Sequence, residues 1–319
     1  MGIARCTFAA VIPIHMLQRR PVIFSVVIFL IFSITGRAQV SSLFNTTRAK
    51  SMSQRWELDT LTSSGTFVIT PYKPIYLIPV RWSSHPNDKP HSGNPDENYD
   101  SDAIDFNNLE AKFQISFKVK VLQGIFNGHG DLWGAYTQKS HWQVYNKTLS
   151  SPFRETNYEP EVILNFATKY NLLGFKGRLA SISFNHQSNG RDMPLSRSWN
   201  RIILQTGFER GDWQTYLKYW VRIPDGNDSD DNPDIIDRVG RAEAIAIYSK
   251  NRHILTFTGS TNFAINNNFS GYFEASWSYR VAGNLKAYLQ FTHGYGETLI
   301  DYNNRQTTLG LGVSLIEWL

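Results

Sequence analysis

Residues 109–122 read LEAKFQISFKVKVL. Phe113, Ile115, Phe117, Val119 and Val121 fall on one parity, and Lys112, Gln114, Ser116, Lys118 and Lys120 on the other. Successive side chains of a β-strand point to opposite faces, so this alternation predicts a strand with one apolar and one polar, largely cationic face. The pattern recurs further on. Phe273, Ala275 and Trp277 alternate with Tyr272, Glu274, Ser276 and Ser278, and Leu285, Ala287, Leu289 and Phe291 with Lys286, Tyr288, Gln290 and Thr292.

Two architectures accept such strands. In a soluble sandwich the apolar face turns inward and the polar face meets water. In a membrane barrel the faces are exchanged, and lysines line the interior. Runs of about ten residues match the length needed to cross a bilayer as a tilted strand. Aromatic residues make up 14% of the chain, with 9 Trp and 15 Tyr. Trp142, Tyr145, Trp220 and Trp318 sit near strand ends, where interfacial girdles form. The reading is all-β: a twelve-stranded antiparallel transmembrane β-barrel.

The expected strands are 74–82, 109–122, 131–145, 159–169, 175–187, 199–208, 213–223, 240–249, 252–262, 270–279, 284–296 and 306–318. An even number suits a bacterial barrel whose last strand pairs with its first and leaves no edge in lipid. Pro79 interrupts the first strand, and residues 83–107, rich in Pro, Asp, Asn and Ser, read as a long loop. Both ends of the barrel domain, residues 71–319, belong on the periplasmic side.

The N-terminus supports export. Arg19 and Arg20 precede an apolar stretch from Val22 to Ile34, and Gly36 and Ala38 suit signal peptidase. Residues 1–38 are expected to be a signal peptide, with Met16 an alternative start. A single membrane anchor is the competing reading, but the apolar run falls short of the roughly 20 residues a spanning helix needs. Residues 39–70 form a periplasmic N-terminal segment or a plug. The only cysteine, Cys6, falls in the removable part, so the mature chain has no disulfide. Removing the four arginines of residues 1–38 lowers the formal charge from +5 to about +1. No basic stripe remains for nucleic acid.

The densest polar cluster spans Asn185 to Arg201. His186 and Ser188 share parity with Ala180, Ile182 and Phe184, and Asn200 with Ile202, Leu204 and Phe208. A histidine, a serine and an asparagine therefore extend the lipid-facing rows of neighbouring strands near one rim, where polar groups are costly without a function. A serine hydroxyl needs a base, and the base needs a third group to fix its tautomer. A polar rim loop without chemistry would show the same spacing.

The stretch His186-Gln-Ser-Asn-Gly-Arg191, followed by Ser196-Arg-Ser-Trp-Asn200, resembles the signature of the outer membrane phospholipase A family. Tyr136 to Ser140 and Ser150 to Pro160 match further blocks, and the likeness runs from about residue 70 to 319. The resemblance implies a phospholipase of the Gram-negative outer membrane that cleaves sn-1 and sn-2 esters. It makes Ser188 the nucleophile, His186 the base, Asn200 its orienting partner and the amide of Gly190 an oxyanion donor. It implies calcium held by the carbonyl of Arg191, the hydroxyl of Ser196 and the carbonyl of Ser150 from a partner subunit. It also implies a homodimer, with Gln138, Trp142, Thr156 and Tyr158 at or near its interface. Gln138 is expected to point outward; on the other parity it would face the lumen. Met193 departs from the family's calcium loop. Asp225 to Ile236 has alternating acidic spacing but lacks the Gly and Glu of an EF-hand, so it reads as a solvated loop. A passive pore lined by Lys112, Lys118, Lys120, Glu274 and Lys286, and an adhesin using the loop at 83–107, are the alternatives from other functional classes.

Overall fold

The computed structural model describes residues 50–317, apart from 60, 101, 227–229 and 266–267. The expected signal peptide and Trp318 lie outside the described residues. A short helix α1 (Met52–Trp56) and a short strand β1 (Ile69–Pro71) precede the main sheet. There follow β2 (Ile75–Ser83), β3 (Leu109–Leu122), β4 (Asp131–Trp142), β5 (Phe153–Leu172), β6 (Phe175–Ser188) and β7 (Ser198–Arg210). The sheet continues with β8 (Trp213–Ile223), β9 (Ala242–Lys250), β10 (His253–Thr261), β11 (Gly271–Ala282), β12 (Leu285–Gly294) and β13 (Gln306–Ile316). A helix α2 (Ile235–Val239) lies between β8 and β9.

Strands β2 to β13 each pair antiparallel with their neighbours in sequence, and β13 pairs back onto β2. This closes a twelve-stranded barrel, as the alternation predicts. Closure leaves no sheet edge in lipid. β1 pairs with the lower half of β3, through Ile69↔Val119, where β2 has not yet begun. Pro79 sits at a bulge rather than ending the strand. The β2–β3 register shifts between Ile78 and Arg81, and the extra residue keeps both Leu77 and Val80 on the exposed face. At the β13–β2 seam a side chain on Gly312 would meet the Leu77 carbonyl oxygen at 2.1 Å, so only glycine fits there.

Short turns at 173–174, 211–212, 251–252 and 283–284 gather at one end, and long loops at the other. By the usual pattern the short turns are periplasmic, and the long loops face outward. The barrel's first and last strands begin and end at the periplasmic end, with Ile75 opposite Ile316.

The lysines of β3 point inward, as their parity requires, and are fully paired. Lys112 Nζ bonds Gln290 Oε1 at 2.7 Å and Glu297 Oε1 at 2.8 Å. Lys120 Nζ meets Glu57 at 2.9 Å and Asp131 at 3.1 Å. Lys118 Nζ bonds the Arg55 carbonyl at 2.7 Å and lies 3.8 Å from the Trp56 ring centroid. Helix α1 therefore packs inside the barrel: Met52 and Trp56 are buried among Trp133, Leu179, Tyr216, Ile245 and Ile247. Among the described residues, those of α1 lie within the barrel. In the outer half, Arg81 bridges Glu110 and Glu297 at 2.6 Å each, and Arg154 joins Glu110 to Asp301. A cavity of about 190 Å³ remains between these two layers, lined by Lys73, Glu159, Arg201, Lys218 and Glu243 among others. Among the described residues, α1 and the ion pairs thus occupy much of the polar lumen, which disfavours an open pore.

Two sequence readings change. Trp220 is buried inside the barrel, packed on Trp199, rather than in an interfacial girdle. The acidic loop is not simply solvated. Ile235 and Ile236 of α2 are buried, and Asp230 and Asp231 are held by hydrogen bonds. Its residues 227–229 lie outside the described residues.

Arg81→Met should lower the unfolding free energy by about 3 kcal/mol, because Glu110 and Glu297 lose a shared counter-charge in a buried site. Urea unfolding in detergent, followed by tryptophan fluorescence, measures this. A change below about 1 kcal/mol would show that the network does not depend on Arg81.

Candidate active site

The β6–β7 register places His186 opposite Asn200 and Ser188 opposite Ser198. The inward-facing residues hold that register. Trp199 Nε1 donates to Gln187 Oε1 at 2.9 Å, and the Arg201 guanidinium stacks 4.0 Å from the Trp199 ring centroid. Arg201 also donates to Asn185 Oδ1 at 2.7 Å. With this face locked, the alternate residues His186, Ser188 and Asn200 must point outward. They continue the row of Ile182, Phe184 and Leu204, which are exposed on the barrel wall. The parity expectation holds at all three.

His186 Nδ1 and Asn200 Oδ1 are 2.9 Å apart. An amide oxygen can only accept, so Nδ1 is the donor in this contact, which leaves Nε2 as the nitrogen free to act as a base in the neutral ring. Ser188, at the end of β6, lies two residues further along the same face. The amide nitrogen of Asn200 is engaged in turn, donating to Asp225 Oδ1 at 3.4 Å.

The turn after β6 is organised by Asn189, which sequence reasoning passed over. Its buried side chain accepts from the Arg197 amide at 3.0 Å and donates to the Leu195 carbonyl at 2.8 Å. Gly190 follows with φ of 63°, a left-handed conformation that favours glycine. A Cβ there would meet the Tyr158 ring at 3.2 Å. Arg197 is buried and ties this turn to Glu97 of the 84–108 loop at 3.3 Å. The long loop therefore clamps the site instead of standing free.

Gln138 is on the outward parity of β4, accepting from Tyr136 OH at 3.2 Å and donating to Ser140 Oγ at 3.3 Å. Thr156 Oγ1 donates to Ser140 Oγ at 3.1 Å. Register aligns Gln138 with Tyr158 and Tyr158 with Ser188, so a polar stripe crosses β4, β5 and β6 on the wall. Trp142 stacks on Phe153 at 5.2 Å and donates to the Ser151 carbonyl at 2.9 Å, fixing the turn at Ser150 and Ser151, both at positive φ.

The oxygens expected to hold calcium can be tested for chemical fit. Ser196 Oγ donates to Asp231 Oδ2 at 2.7 Å, and Ser198 Oγ to the same oxygen at 3.1 Å. Burial and the Asp231 charge push the nearby Glu97 carboxyl above its ordinary range, with Arg197 opposing. A hydroxyl, a carboxylate and backbone carbonyls in a negative environment are the donors a hard cation takes. The residues fit calcium, and Asp231 is a carboxylate that the sequence reading had left in a solvated loop. The Arg191 side chain is fixed on β5, reaching the Phe153 carbonyl at 3.3 Å and the Arg154 carbonyl.

The fold is that of an outer-membrane β-barrel, here with a His–Asn pair and a serine on its outer face. The family model described as Phospholipase A1 matches residues 52–315. A phospholipase A1 of Escherichia coli strain K12 is 39% identical over 249 residues, covering 78% of this chain and 82% of that protein. A putative phospholipase A1 of Neisseria meningitidis serogroup B is 36% identical over 270 residues, covering 82% and 69% respectively. Among solved structures, outer membrane phospholipase A of E. coli superposes with a TM-score of 0.70 at 37% identity, over 79% of this chain and all of that one. The Salmonella typhi outer membrane phospholipase, solved as a dimer with bound calcium, gives 0.71 at 37% identity, over 81% and 96%. The chain belongs to the phospholipase A1 family and is a hydrolase of the outer membrane.

Gly190→Ala should lower turnover about tenfold or more, since an alanine strains the left-handed turn and would displace the amide expected to serve as oxyanion donor. The barrel should be unaffected. Turnover on a chromogenic ester, with heat-modifiable gel mobility as the folding control, reads both. Wild-type turnover in the variant would remove Gly190 from the site.

Proposed function

We propose that this protein is a calcium-dependent phospholipase that hydrolyses sn-1 and sn-2 acyl esters of phospholipids and lysophospholipids in the outer leaflet, and that it works as a homodimer. The observation that carries the reading is the 2.9 Å contact between His186 and Asn200 on the lipid-facing row that also bears Ser188. An acyl chain lying against Phe184, Ile182 and Leu204 would bring its ester to the rim where these groups stand.

The chemistry divides into two acyl transfers. His186 Nε2 takes the Ser188 proton as Oγ attacks the ester carbonyl, and the Gly190 amide donates to the oxygen that gains the charge. Asn200 keeps the imidazole in the tautomer that leaves Nε2 free and supports the imidazolium through its carbonyl dipole. The imidazolium then protonates the departing lysophospholipid alkoxide, leaving the acyl group on Ser188. In the second half His186 deprotonates a water, which attacks the acyl carbon; the acyl–Oγ bond breaks, the imidazolium returns the proton to Ser188 Oγ, and the fatty acid leaves. Arg191, Ser196 and Asp231, with Ser150 from a second subunit, would hold calcium, which supplies positive charge against the developing oxyanion. A carbonyl contributed by a second subunit makes the dimer part of the site, and the stripe of Gln138, Thr156 and Tyr158 supplies a polar, hydrogen-bonding patch for self-association. The calcium-bound dimer of the Salmonella relative supports this reading.

Ser188→Ala should reduce hydrolysis to background and His186→Ala nearly so. Asn200→Ala should lose roughly 10- to 10³-fold, less than the ~10⁴ cost of replacing the aspartate of a soluble triad, because a neutral amide has less charge to contribute. Purified, refolded variants assayed at saturating calcium give the ranking, and a sulfonyl fluoride should label Ser188 in the wild type. Wild-type turnover in folded Ser188→Ala would sink the nucleophile assignment.

Chelator should stop hydrolysis, and added calcium should restore it. Because a shared site links the two equilibria, calcium should also raise the dimer fraction in detergent, measured by analytical ultracentrifugation. Activity that survives excess chelator, or a monomer of full activity, would overturn the shared-site mechanism.

A further inference from the structure

The contact between His186 and Asn200 serves catalysis in only one orientation of the amide. Turned over, Asn200 would present its NH₂ to Nδ1, require a lone pair there and move the imidazole proton to Nε2, where a base is needed. The two ends of an amide have nearly the same shape, so packing discriminates between them weakly. The discriminating group lies on the far side. Asn200 Nδ2 donates to Asp225 Oδ1 at 3.4 Å. A carboxylate can only accept, so this contact is compatible only with the orientation that gives His186 the amide oxygen.

The fold puts Asp225 there. Register sets Asn200 opposite Ile223, the last residue of β8, and Asp225 follows two residues on. Its other oxygen faces Arg222 Nη2 at 3.9 Å. Arg222 is itself held by Asp230 at 2.6 Å and by the carbonyls of Asn232 and Pro233 at 3.2 and 3.0 Å. The carboxylate is thus placed between a fixed guanidinium and the amide of Asn200.

We infer that Asp225 is a positioning residue for the Ser188–His186–Asn200 site, an inference that rests on that reading. It selects the productive orientation of the Asn200 amide. By drawing on the amide N–H it also polarises the carbonyl that faces His186, so part of a carboxylate's influence reaches the imidazolium one residue removed. This accounts physically for a neutral residue in the third position. A full charge directly on the lipid-facing row would be costly, whereas Asp225 sits in the loop, 28% exposed and next to Arg222.

The test compares kcat and KM of wild type, Asp225→Ala, Asp225→Asn and Asp225→Glu, in both the native and the Asn200→Asp backgrounds. Refolded protein is assayed in phosphatidylcholine–detergent micelles at saturating calcium. In the native background Asp225→Ala should lower kcat about tenfold with KM within twofold. Asp225→Asn should lose less, because its carbonyl can still accept, and Asp225→Glu should recover at least half of the loss. In the Asn200→Asp background there is no amide to orient and Asp225 faces a like charge. There Asp225→Ala should leave kcat unchanged or raise it. Equal losses in both backgrounds, an effect on KM alone, or an unchanged kcat in the native background would each overturn the inference. If Asn200→Asp has no measurable turnover, the kcat–KM split and the glutamate rescue in the native background decide. Ser188→Ala assayed alongside separates failure of this inference from failure of the site: only retained turnover in that variant would discard the site itself.

Discussion

In hydrocarbon there is no water to satisfy a backbone amide, so a sheet must close on itself, and everything else in this molecule follows from that closure. The β13–β2 pairing that completes the ring divides the side chains into two populations, one facing lipid and the other a narrow lumen. Closure also explains small irregularities. The bulge at Pro79 lets a residue without an N–H sit in a barrel strand, and Gly312 lets the seam approach without a side chain in the way. The spare carbonyl of Pro79 is not wasted, because Tyr145 OH donates to it at 2.8 Å.

The lumen then faces the opposite problem, since many of its charges are buried. Arg81, Glu110, Glu297, Lys112, Arg154 and Asp301 balance one another in the outer half. Burial alone would raise the Glu297 carboxyl, but Arg81 and Lys112 outweigh it and hold it well below the ordinary carboxylate range. The periplasmic half uses a different device. Helix α1 brings Trp56 over Lys118 and places the Arg55 carbonyl on the same ammonium group. Such networks are an uncertain source of net stability, since desolvation offsets much of their attraction. Their clearer consequence is rigidity, which the outer surface uses.

That use is most direct at β6 and β7. Gln187, Trp199 and Arg201 lock the two strands from inside, and the same lock fixes His186 against Asn200 outside. The His–Asn pair is thereby held on paired strands, while loops pack behind it. The 84–108 loop clamps the turn that carries Gly190 through Glu97 and Arg197, and the 224–241 loop brings Asp225 and Asp231 to the back of the site.

The alternation in 109–122 determined that two-faced strands form; their length, the aromatic residues and the export signal then favoured a barrel, with lysines turned away from lipid, over a soluble sandwich. The same parity placed His186, Ser188 and Asn200 together on the outer row, since side chains near the end of a hairpin are constrained by local register. Trp220 shares parity with Lys218 and Arg222, so the same alternation turns it inward; the girdle reading looked only at its place near a strand end, and packing against Trp199 completes its burial. The alternation could not show that the acidic loop is folded. Asp225, Asp231 and Glu97 reach the site through loops far from it in sequence, and no periodicity governs where a loop returns. Local periodicity determined which face each strand residue meets. The tertiary structure alone decided which distant charges stand behind the His186–Asn200 pair, because that depends on loop closure around a completed ring.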